Sequence, residues 1–495
     1  MFRRVPAFAQ TAPLAIAAML LASPGGAQAP WSAPRDMPAA VALAGTGASK
    51  KFLSNDMTAG SEAGATTTID VSRAIAQRLE EWTQSETDSA RRARRNAIAA
   101  YYAKHDFAPL WRLGEYFSPA ATRAAQTLRD ARRDALRISA PIPSNDAQWS
   151  VAAELDLSEG IVDYAAQASG ARVDPARISR LIGARPRLAS ASEALDAVTL
   201  AGADLADFNP PHAGYRALRD KLAELRTIRE NSGRVALASR GNDIGPQNSF
   251  ASLTQGEAKR IEAEIIANME RWRWEPRDLG ATRIEVNIPQ FELALTRDGV
   301  KTHRTRVVVG KTTTPTPVFF DKMRYVVINP SWSVPQSIIT KEMAGKHGGD
   351  LSYLAARGFK VSYSNGRASV RQPPGEKNAL GRVKFVFPNE FSVYLHDTPS
   401  RSLFATARRA YSHGCVRVDQ PFALAEAVLT ADAGWTEKRL RGMIGASERR
   451  IDLARPMPVH IEYFTATVDA DGQLRLFDDI YGYSARVREA LASGS

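Results

Sequence analysis

The segment Tyr411-Ser-His-Gly-Cys-Val-Arg-Val418 contains the only cysteine of the chain, and Val393-Tyr-Leu-His-Asp-Thr-Pro-Ser400 lies shortly before it. A thiol attacks well only as a thiolate, and a nearby imidazole can take its proton. His413 lies two residues before Cys415, so an extended chain would put both side chains on one face. His396 ends a strand-like run and could reach the thiol from a neighbouring strand. The sequence therefore predicts a cysteine nucleophile whose base is one of these two histidines.

Two other residues of the second segment suit acyl transfer. Attack on an amide carbonyl creates an oxyanion that needs preorganised donors, and the backbone N–H groups around Gly414 and Cys415 can supply them. Arg417 lies two positions past the cysteine, on the same face of an extended strand. Its guanidinium could bind a substrate carboxylate through two parallel hydrogen bonds. The structural alternative is that Arg417 braces the loop, for example against Asp419.

The N-terminal residues have the layout of a secretory signal peptide. Arg3 and Arg4 precede the apolar run Pro13–Ala22, and Ala27-Gln-Ala29 offers small residues for cleavage. That run is too short to span a bilayer, and no later segment is apolar enough, so the sequence predicts no transmembrane segment in the mature chain. A formal net charge of +12 favours anionic surroundings such as the cell wall, while export argues against nucleic acid as a partner.

In an exported chain, a single cysteine either pairs with another chain or keeps its thiol for a reason. A lone cysteine can also be a small buried apolar residue, and a lone histidine is usually structural. These alternatives do not explain why the only thiol follows Ser-His-Gly and is preceded by His-Asp-Thr. Zinc is disfavoured, because one cysteine and two histidines leave the site short of the usual ligands. We expect catalysis without a metal or another cofactor.

The spacing of apolar residues divides the chain. Helical spacing, as in Ile75, Leu79 and Trp82, gives way after Pro276 to a period of two. The predicted order is a signal peptide (1–29), a flexible linker (30–71), a helical domain (72–250), a connecting helix (251–276) that begins with a capping box at Thr254, and a β-rich domain (277–485).

The stretch from His396 to Val418 resembles the signature of the L,D-transpeptidases: a histidine, a gap, then Ser-His-Gly-Cys with Arg or Asn two positions later. The similarity extends to most of the mature chain and is to the large periplasmic members of Gram-negative bacteria. The segments that carry it in the second half are Asn287–Phe291, Val309–Lys311, Thr314–Phe319, Asn329–Pro335, Asn378–Gly381, Phe385–Asn389 and Thr465–Tyr481. Those in the first half are Tyr101–Trp111, Gly170–Pro175 and Pro210–Leu218.

This resemblance implies an α+β multidomain fold, in which an all-α scaffold precedes a β-rich, sandwich-like catalytic domain with a lid at about 341–375. It favours His396 as the base, with the backbone carbonyl of Asp397 orienting the imidazole. The resemblance further assigns His413 to the catalytic group and Gly414 to the oxyanion hole. It assigns substrate binding to Arg417, Ser412, Trp332 and Tyr394.

The implied substrate is a peptidoglycan stem. The thiolate would attack the third residue of a tetrapeptide, a diaminopimelate, and release D-Ala; another diaminopimelate amine would then accept the acyl group in a 3→3 cross-link. The resemblance also implies a periplasmic role in wall biogenesis and cell shape, and acylation by carbapenems. Alternatives are hydrolysis, as a carboxypeptidase or endopeptidase, and transfer to an outer-membrane protein. A non-enzymatic wall scaffold is opposed by the intact His396, Gly414, Cys415 and Arg417.

One departure from this subgroup concerns the junction of the two halves. Members usually carry a small helical peptidoglycan-binding lobe there. In this chain only about 25 residues separate the helix ending near Asn231 from the one starting at Thr254, too few for an independently folded core. The sequence therefore predicts that the lobe is missing.

Overall fold

The computed structural model describes residues 61–235, 253–345, 349–430 and 434–493. The predicted signal peptide, most of the predicted linker and most of the short junction lie outside the described residues. None of the helices that the structure describes is both long and apolar enough to cross a membrane.

Helices dominate the first half of the described chain, and strands dominate the second. The helices are α1 (Ser61–Gln84), α2 (Ser89–Lys104), α3 (Pro119–Arg129), α4 (Val151–Ala168), α5 (Pro175–Ile178), α6 (Ala191–Thr199), α7 (Ala213–Val235), α8 (Gln255–Trp272), α9 (Gln336–Ile338), α10 (Tyr353–Ala356), α11 (Pro421–Leu429), α12 (Glu437–Gly442) and α13 (Tyr483–Ser493). The strands are β1 (Arg112–Leu113), β2 (Tyr116–Phe117), β3 (Thr282–Asn287), β4 (Glu292–Arg297), β5 (Val300–Gly310), β6 (Phe319–Ile328), β7 (Trp332–Ser333), β8 (Lys360–Ser364), β9 (Arg367–Gln372), β10 (Val383–Val386), β11 (Leu395–His396), β12 (Ala410–Ser412), β13 (Val416–Val418), β14 (Arg449–Glu462), β15 (Ala466–Val468) and β16 (Leu474–Leu476).

The described chain divides into two compact units. The helical unit consists of residues 61–171 and 187–211, and the β-rich unit consists of Arg172–Pro186 and residues 212–493. The predicted fold class, an all-α part followed by a β-rich part, is thereby confirmed. The capping box predicted at Thr254 is present, since Thr254 and Glu257 exchange side-chain and backbone hydrogen bonds at the start of α8.

The helical unit contains a carboxylate, Glu154 on α4, whose side chain is 0% exposed. It accepts hydrogen bonds from the Tyr102 hydroxyl at 2.9 Å, the Leu110 amide at 2.5 Å and the Trp149 indole at 2.5 Å. Burying a charge without such donors would be costly. Burial still raises the pKa of Glu154, because the hydrogen bonds only partly offset desolvation. This carboxylate therefore joins α2, α4 and the loop between α2 and β1.

The main sheet of the β-rich unit has the strand order β12-β5-β13-β11-β10-β6-β14-β3-β4. It closes on itself, because β4 pairs with both β3 and β5. The predicted alternation on β3 is confirmed: Ile284 and Val286 are buried in the core, and the residues between them lie on the opposite face. A separate three-stranded sheet, β7-β9-β8, has two of its strands inside the region where the lid is predicted.

Two segments that the helical period assigned to the helical domain belong to the β-rich unit. They are Arg172–Pro186 and the segment from His212 to the end of α7. In the first, the Gly183 amide donates to the Val318 carbonyl and the Val318 amide donates to the Leu181 carbonyl, both at 2.8 Å. In the second, α7 packs on α8, where Arg226 binds Glu262 at 2.7 Å. Helical spacing indicates which residues form a helix, but not which core that helix packs against. The units therefore differ from the predicted boundary near residue 250.

We expect Glu154→Ala to destabilise the helical unit by about 3 kcal/mol or more, because four buried or partly buried donors would lose their acceptor. Glu81→Ala is the control, since this glutamate is 68% exposed in its ion pair with Arg78 and should change stability by less than about 1 kcal/mol. Urea unfolding of both variants, followed by tryptophan fluorescence, measures the difference. Equal midpoints for the two would contradict the assigned role.

Candidate active site

The segments that contain His396 and Cys415 form adjacent parallel strands. On β11 and β13, Leu395 pairs with Val416 and His396 pairs with Arg417. Cys415 immediately precedes β13, so it lies next to the residue that pairs with Leu395, the neighbour of His396. β13 also pairs antiparallel with β5, where Arg417 lies opposite Val308. The structure therefore brings His396, Cys415 and Arg417 to one region of the closed sheet.

The imidazole of His396 is completely buried. Its Nδ1 lies 2.5 Å from the Asp397 carbonyl oxygen, an atom that can only accept a hydrogen bond. Nδ1 therefore carries the proton in the neutral ring, and Nε2 carries the lone pair. Among the described residues, Nε2 has no hydrogen-bond partner. Burial, assisted by the positive charges of Arg417 and Lys384, lowers the pKa of His396 to about 3. The ring is therefore neutral and has a lone pair ready to accept a proton.

The thiol of Cys415 is 2% exposed. Burial raises its pKa to about 11, although a hydrogen bond with the Tyr394 backbone and the positive charges of Lys384 and Arg417 act in the opposite direction. Since His396 titrates far below neutral pH, the two groups are a neutral thiol and a neutral imidazole at pH 7. Activation of the thiol therefore requires proton transfer at the moment of reaction.

The turn before the cysteine is held by hydrogen bonds. Gly414 has a φ of +121°, which favours glycine. Its carbonyl accepts from Thr316 Oγ1 at 2.7 Å, and its amide donates to Ser412 Oγ at 3.2 Å. Ser412 Oγ in turn donates to the Cys415 carbonyl at 2.5 Å. Ser412 is buried and braces the turn, and the contact with substrate that the resemblance assigns to it stays a prediction. The Gly414 amide must exchange its partner before it can stabilise an oxyanion.

His413 makes a different contact from His396. Its Nε2 lies 3.1 Å from Glu342 Oε1, an ion-pair distance without hydrogen-bond geometry. Burial and the charge of Lys311 lower the pKa of His413, while Glu342 raises it. Glu342 belongs to a π-helical turn, Ile339–Ala344, inside the region where the lid is predicted. Sequence reasoning missed this glutamate, because a short helical turn far along the chain carries no signal of its contacts.

A cavity of about 670 Å³ lies next to Tyr394, the residue whose backbone is hydrogen-bonded to the thiol. Trp332 and Tyr394, both predicted to bind substrate, line it together with Lys384. The Lys384 ammonium lies 3.8 Å from the centre of the Tyr394 ring, and its charge interacts with Cys415. Lys384 was not identified from the sequence. A lysine in the middle of the apolar run Val383–Val386 was the available signal, because burying an ammonium in a strand is costly.

Arg417 is 0% exposed, which was not expected for a residue that binds substrate carboxylates. Burial lowers its pKa to about 10, and the opposing influence comes from Cys415. Arg417 and Lys384 are thus the positive charges that act most strongly on the thiol. Arg417 is thus a buried charge close to the thiol, and its contact with a substrate carboxylate stays a prediction.

Comparison with known proteins matches two parts of the chain. Residues 281–445 match the model of the L,D-transpeptidase catalytic domain, and residues 96–222 match that of the Scaffold domain. A curated Haemophilus influenzae protein, "Putative L,D-transpeptidase", is 34% identical over 225 residues, which are 42% of this chain and 45% of that protein. The match therefore spans less than half the length of this relative.

Solved structures are more distant. An L,D-transpeptidase from Mycobacterium smegmatis is 13% identical over 37% of this chain and 58% of its own, with a TM-score of 0.20. The catalytic domain of the Enterococcus faecium enzyme, solved by NMR as its ertapenem acyl form, is 16% identical over 37% of this chain and 97% of its own, with a TM-score of 0.19.

We expect the thiolate absorbance of the folded protein to rise with a midpoint near pH 11, because burial raises the pKa of Cys415 to about 11. The difference spectrum against Cys415→Ser isolates the thiol from the tyrosines. In denaturant the midpoint should fall to about 8.5. The folded state binds this proton more tightly than the unfolded state, so stability should be lost as the pH rises above about 8.5. A folded midpoint below pH 8 would instead reveal a preformed thiolate–imidazolium pair.

Proposed function

Because the chain carries the catalytic domain and the Scaffold domain of the L,D-transpeptidase family, to which it belongs, we propose that it is a periplasmic enzyme that cross-links peptidoglycan. Cys415 forms a thioester with a tetrapeptide stem and D-Ala leaves. A diaminopimelate side-chain amine of a second stem then takes the acyl group, which gives a 3→3 cross-link.

One observation carries this proposal. The only cysteine of the chain lies within the matched catalytic domain and directly before a strand that pairs with the strand of His396. The imidazole Nε2 of His396 is buried and carries a lone pair, and Nδ1 of the same ring is fixed by the Asp397 carbonyl. A thiol and an oriented neutral base are the two groups that acyl transfer requires.

The proton moves between three groups in the proposed reaction. Cys415 Sγ gives its proton to His396 Nε2 and attacks the carbonyl carbon of the third stem residue. The imidazolium then protonates the nitrogen of D-Ala, the C–N bond breaks, and the thioester remains. In the second half, Nε2 takes a proton from the attacking amine, the new amide forms, and the proton returns to the departing thiolate.

Buried positive charge acts on both groups that change charge in this first step. The neutral resting pair must become a thiolate and an imidazolium, and Lys384 and Arg417 favour the thiolate. The same two charges disfavour the imidazolium. The ion pair should therefore be short-lived and collapse into attack on the substrate. Trp332 and Tyr394 contribute apolar walls of the cavity in which we propose that the stem binds.

Hydrolysis is the principal alternative, because a carboxypeptidase or an endopeptidase would share the thioester and differ only in using water as acceptor. The burial of Cys415 favours transfer, since a dry site protects a thioester from water. A protein acceptor in the outer membrane finds no support in the comparisons.

Purified tetrapeptide muropeptides separate these outcomes in one incubation analysed by mass spectrometry. We expect a cross-linked dimer and free D-Ala from the parent protein and no product from Cys415→Ala, since the chain has no other thiol. Tripeptide with D-Ala but without dimer would indicate a carboxypeptidase. Product from the folded Cys415→Ala variant would overturn the proposed nucleophile. A carbapenem should add one covalent adduct to the parent protein and none to Cys415→Ser.

The choice of base makes a separate prediction. His396→Ala should lower the rate of dimer formation by about 10²–10⁴, the usual range for loss of a general base. His413→Ala should have a smaller effect, because its Nε2 faces Glu342. Rates of both variants at saturating muropeptide provide the measurement, and circular dichroism verifies that each is folded. A larger loss in His413→Ala would reverse the assignment.

A further inference from the structure

Polar residues form a distinct group on the face of the sheet that is turned away from the β-barrel core. β14 and β3 run parallel, with His460 beside Glu285 and Glu462 beside Asn287. Because side chains alternate along a strand, His460 and Glu462 share one face, while Val459 and Ile461 enter the core. Neither His460 nor Glu462 is among the residues that we assign to catalysis.

Three ligand-type side chains converge there. The side-chain ligand atoms of Glu275, His460 and Glu462 all lie within 4.8 Å of one another. Glu275 follows α8 in the chain, whereas the other two residues end β14. The group therefore joins two parts of the chain that are distant in sequence.

The histidine is oriented as a ligand. His460 is 3% exposed, and its Nε2 lies 2.9 Å from the Leu279 carbonyl oxygen. A carbonyl only accepts, so Nε2 carries the proton and Nδ1 of the neutral ring presents a lone pair. Nδ1 has no hydrogen-bond partner among the described residues. A ring N–H fixed by a carbonyl, with the other nitrogen left as a lone pair, is the usual arrangement of a metal-binding histidine.

The carboxylate of Glu462 is similarly unsatisfied. It is 5% exposed, and within the described part of the chain its Oε1 has no hydrogen-bond partner. Neighbouring cations do not neutralise Glu462 by direct contact. Arg283 instead lies 3.3 Å from Glu285, which also accepts a hydrogen bond from Thr296. Lys301 interacts with Glu462 only at longer range. Burial and the nearby charges of Glu285 and Glu275 raise the pKa of Glu462 well above its usual value, because a buried carboxylate oxygen without a donor is costly. A cation bound between the three side chains would remove that cost.

We propose that Glu275, His460 Nδ1 and Glu462 bind a divalent transition-metal ion, for which Zn²⁺ is the best-fitting probe. One imidazole and two carboxylates are ligands that zinc accepts, at about 2.0–2.2 Å. Two such ligands of a tetrahedral ion are about 3.4 Å apart, so the three side chains must close in from the observed spacing of up to 4.8 Å when the ion binds. A cavity of about 620 Å³ lined by Glu462, Glu285 and Gly280 gives the ion a path from solvent.

The ion would act as a structural cross-link. It would tie the segment after α8 to the end of β14 in a chain whose only cysteine cannot form an internal disulfide. Because the three ligands come together only in the folded protein, binding would raise the stability of the fold. The competing interpretation is a metal-free pair between a protonated His460 and Glu275, whose Nδ1 and Oε2 lie 3.8 Å apart.

Zinc binding to the full chain tests this site. In a Cys415→Ser background, which removes the thiol as a ligand, competition with a chromophoric chelator should show one tight Zn²⁺ per chain. Glu462→Gln and His460→Gln should each weaken binding at least about tenfold. The matched control is Glu292→Gln, which lines the same cavity and pairs with Arg304 at 3.4 Å. It should bind as the parent does.

Two further measurements keep the test decisive. Zinc should raise the Tm of the parent and of Glu292→Gln, but not that of Glu275→Gln, a substitution of nearly equal volume at a side chain that is 11% exposed. A crystal grown with zinc should give an anomalous peak between His460 and Glu462. Unchanged zinc affinity and Tm shift in the ligand variants, or an anomalous peak elsewhere only, would overturn the proposal and favour the metal-free pair.

Discussion

The parallel pairing of β11 with β13 is the constraint on which the site depends. It sets His396 opposite Arg417 and places Cys415 directly before β13, the strand of Arg417. A slip of one residue would turn His396 to the other face of the sheet, because side chains alternate along a strand. The neighbouring pairs, β10 with β11 and β13 with β5, hold the register from both sides. Closure of the sheet through β4 and β5 therefore supports the catalytic geometry.

Burial then decides the charge state of the pair. The same low-dielectric surroundings raise the pKa of Cys415 and lower that of His396. A stable thiolate–imidazolium pair would require desolvation of both ions, and Lys384 and Arg417 stabilise only the thiolate. The protein consequently keeps a neutral thiol, which resists adventitious oxidation better than a thiolate. In the proposed reaction, reactivity arises when a substrate carbonyl is present to trap the thiolate.

Local patterns in the sequence predicted much of this arrangement. The period of two on β3, the strand-like run ending at His396 and the Thr254 capping box are each encoded by residues close together in the chain. The pairing of Leu181 and Gly183 with Val318 is not encoded locally, because it joins residues that are far apart in the chain. Glu342 was missed for the same reason, whereas Lys384 had a local signal in its apolar run. Gly381 shows how such information is hidden: a Cβ there would lie 2.3 Å from Asp397 Cγ, a clash that sequence alone does not reveal.

Two buried glutamates show how a structure distinguishes a structural charge from a ligand. Glu154 accepts hydrogen bonds from four different residues through both of its oxygens, so nothing more is needed to keep it in the core. Glu462 is also buried, yet its Oε1 lacks any donor among the described residues. In the sequence the two positions look alike, because each is a single acidic residue beside apolar neighbours. The difference lies in the donors that the fold brings to each oxygen, and the oxygen of Glu462 without a donor is the one that faces the proposed cation.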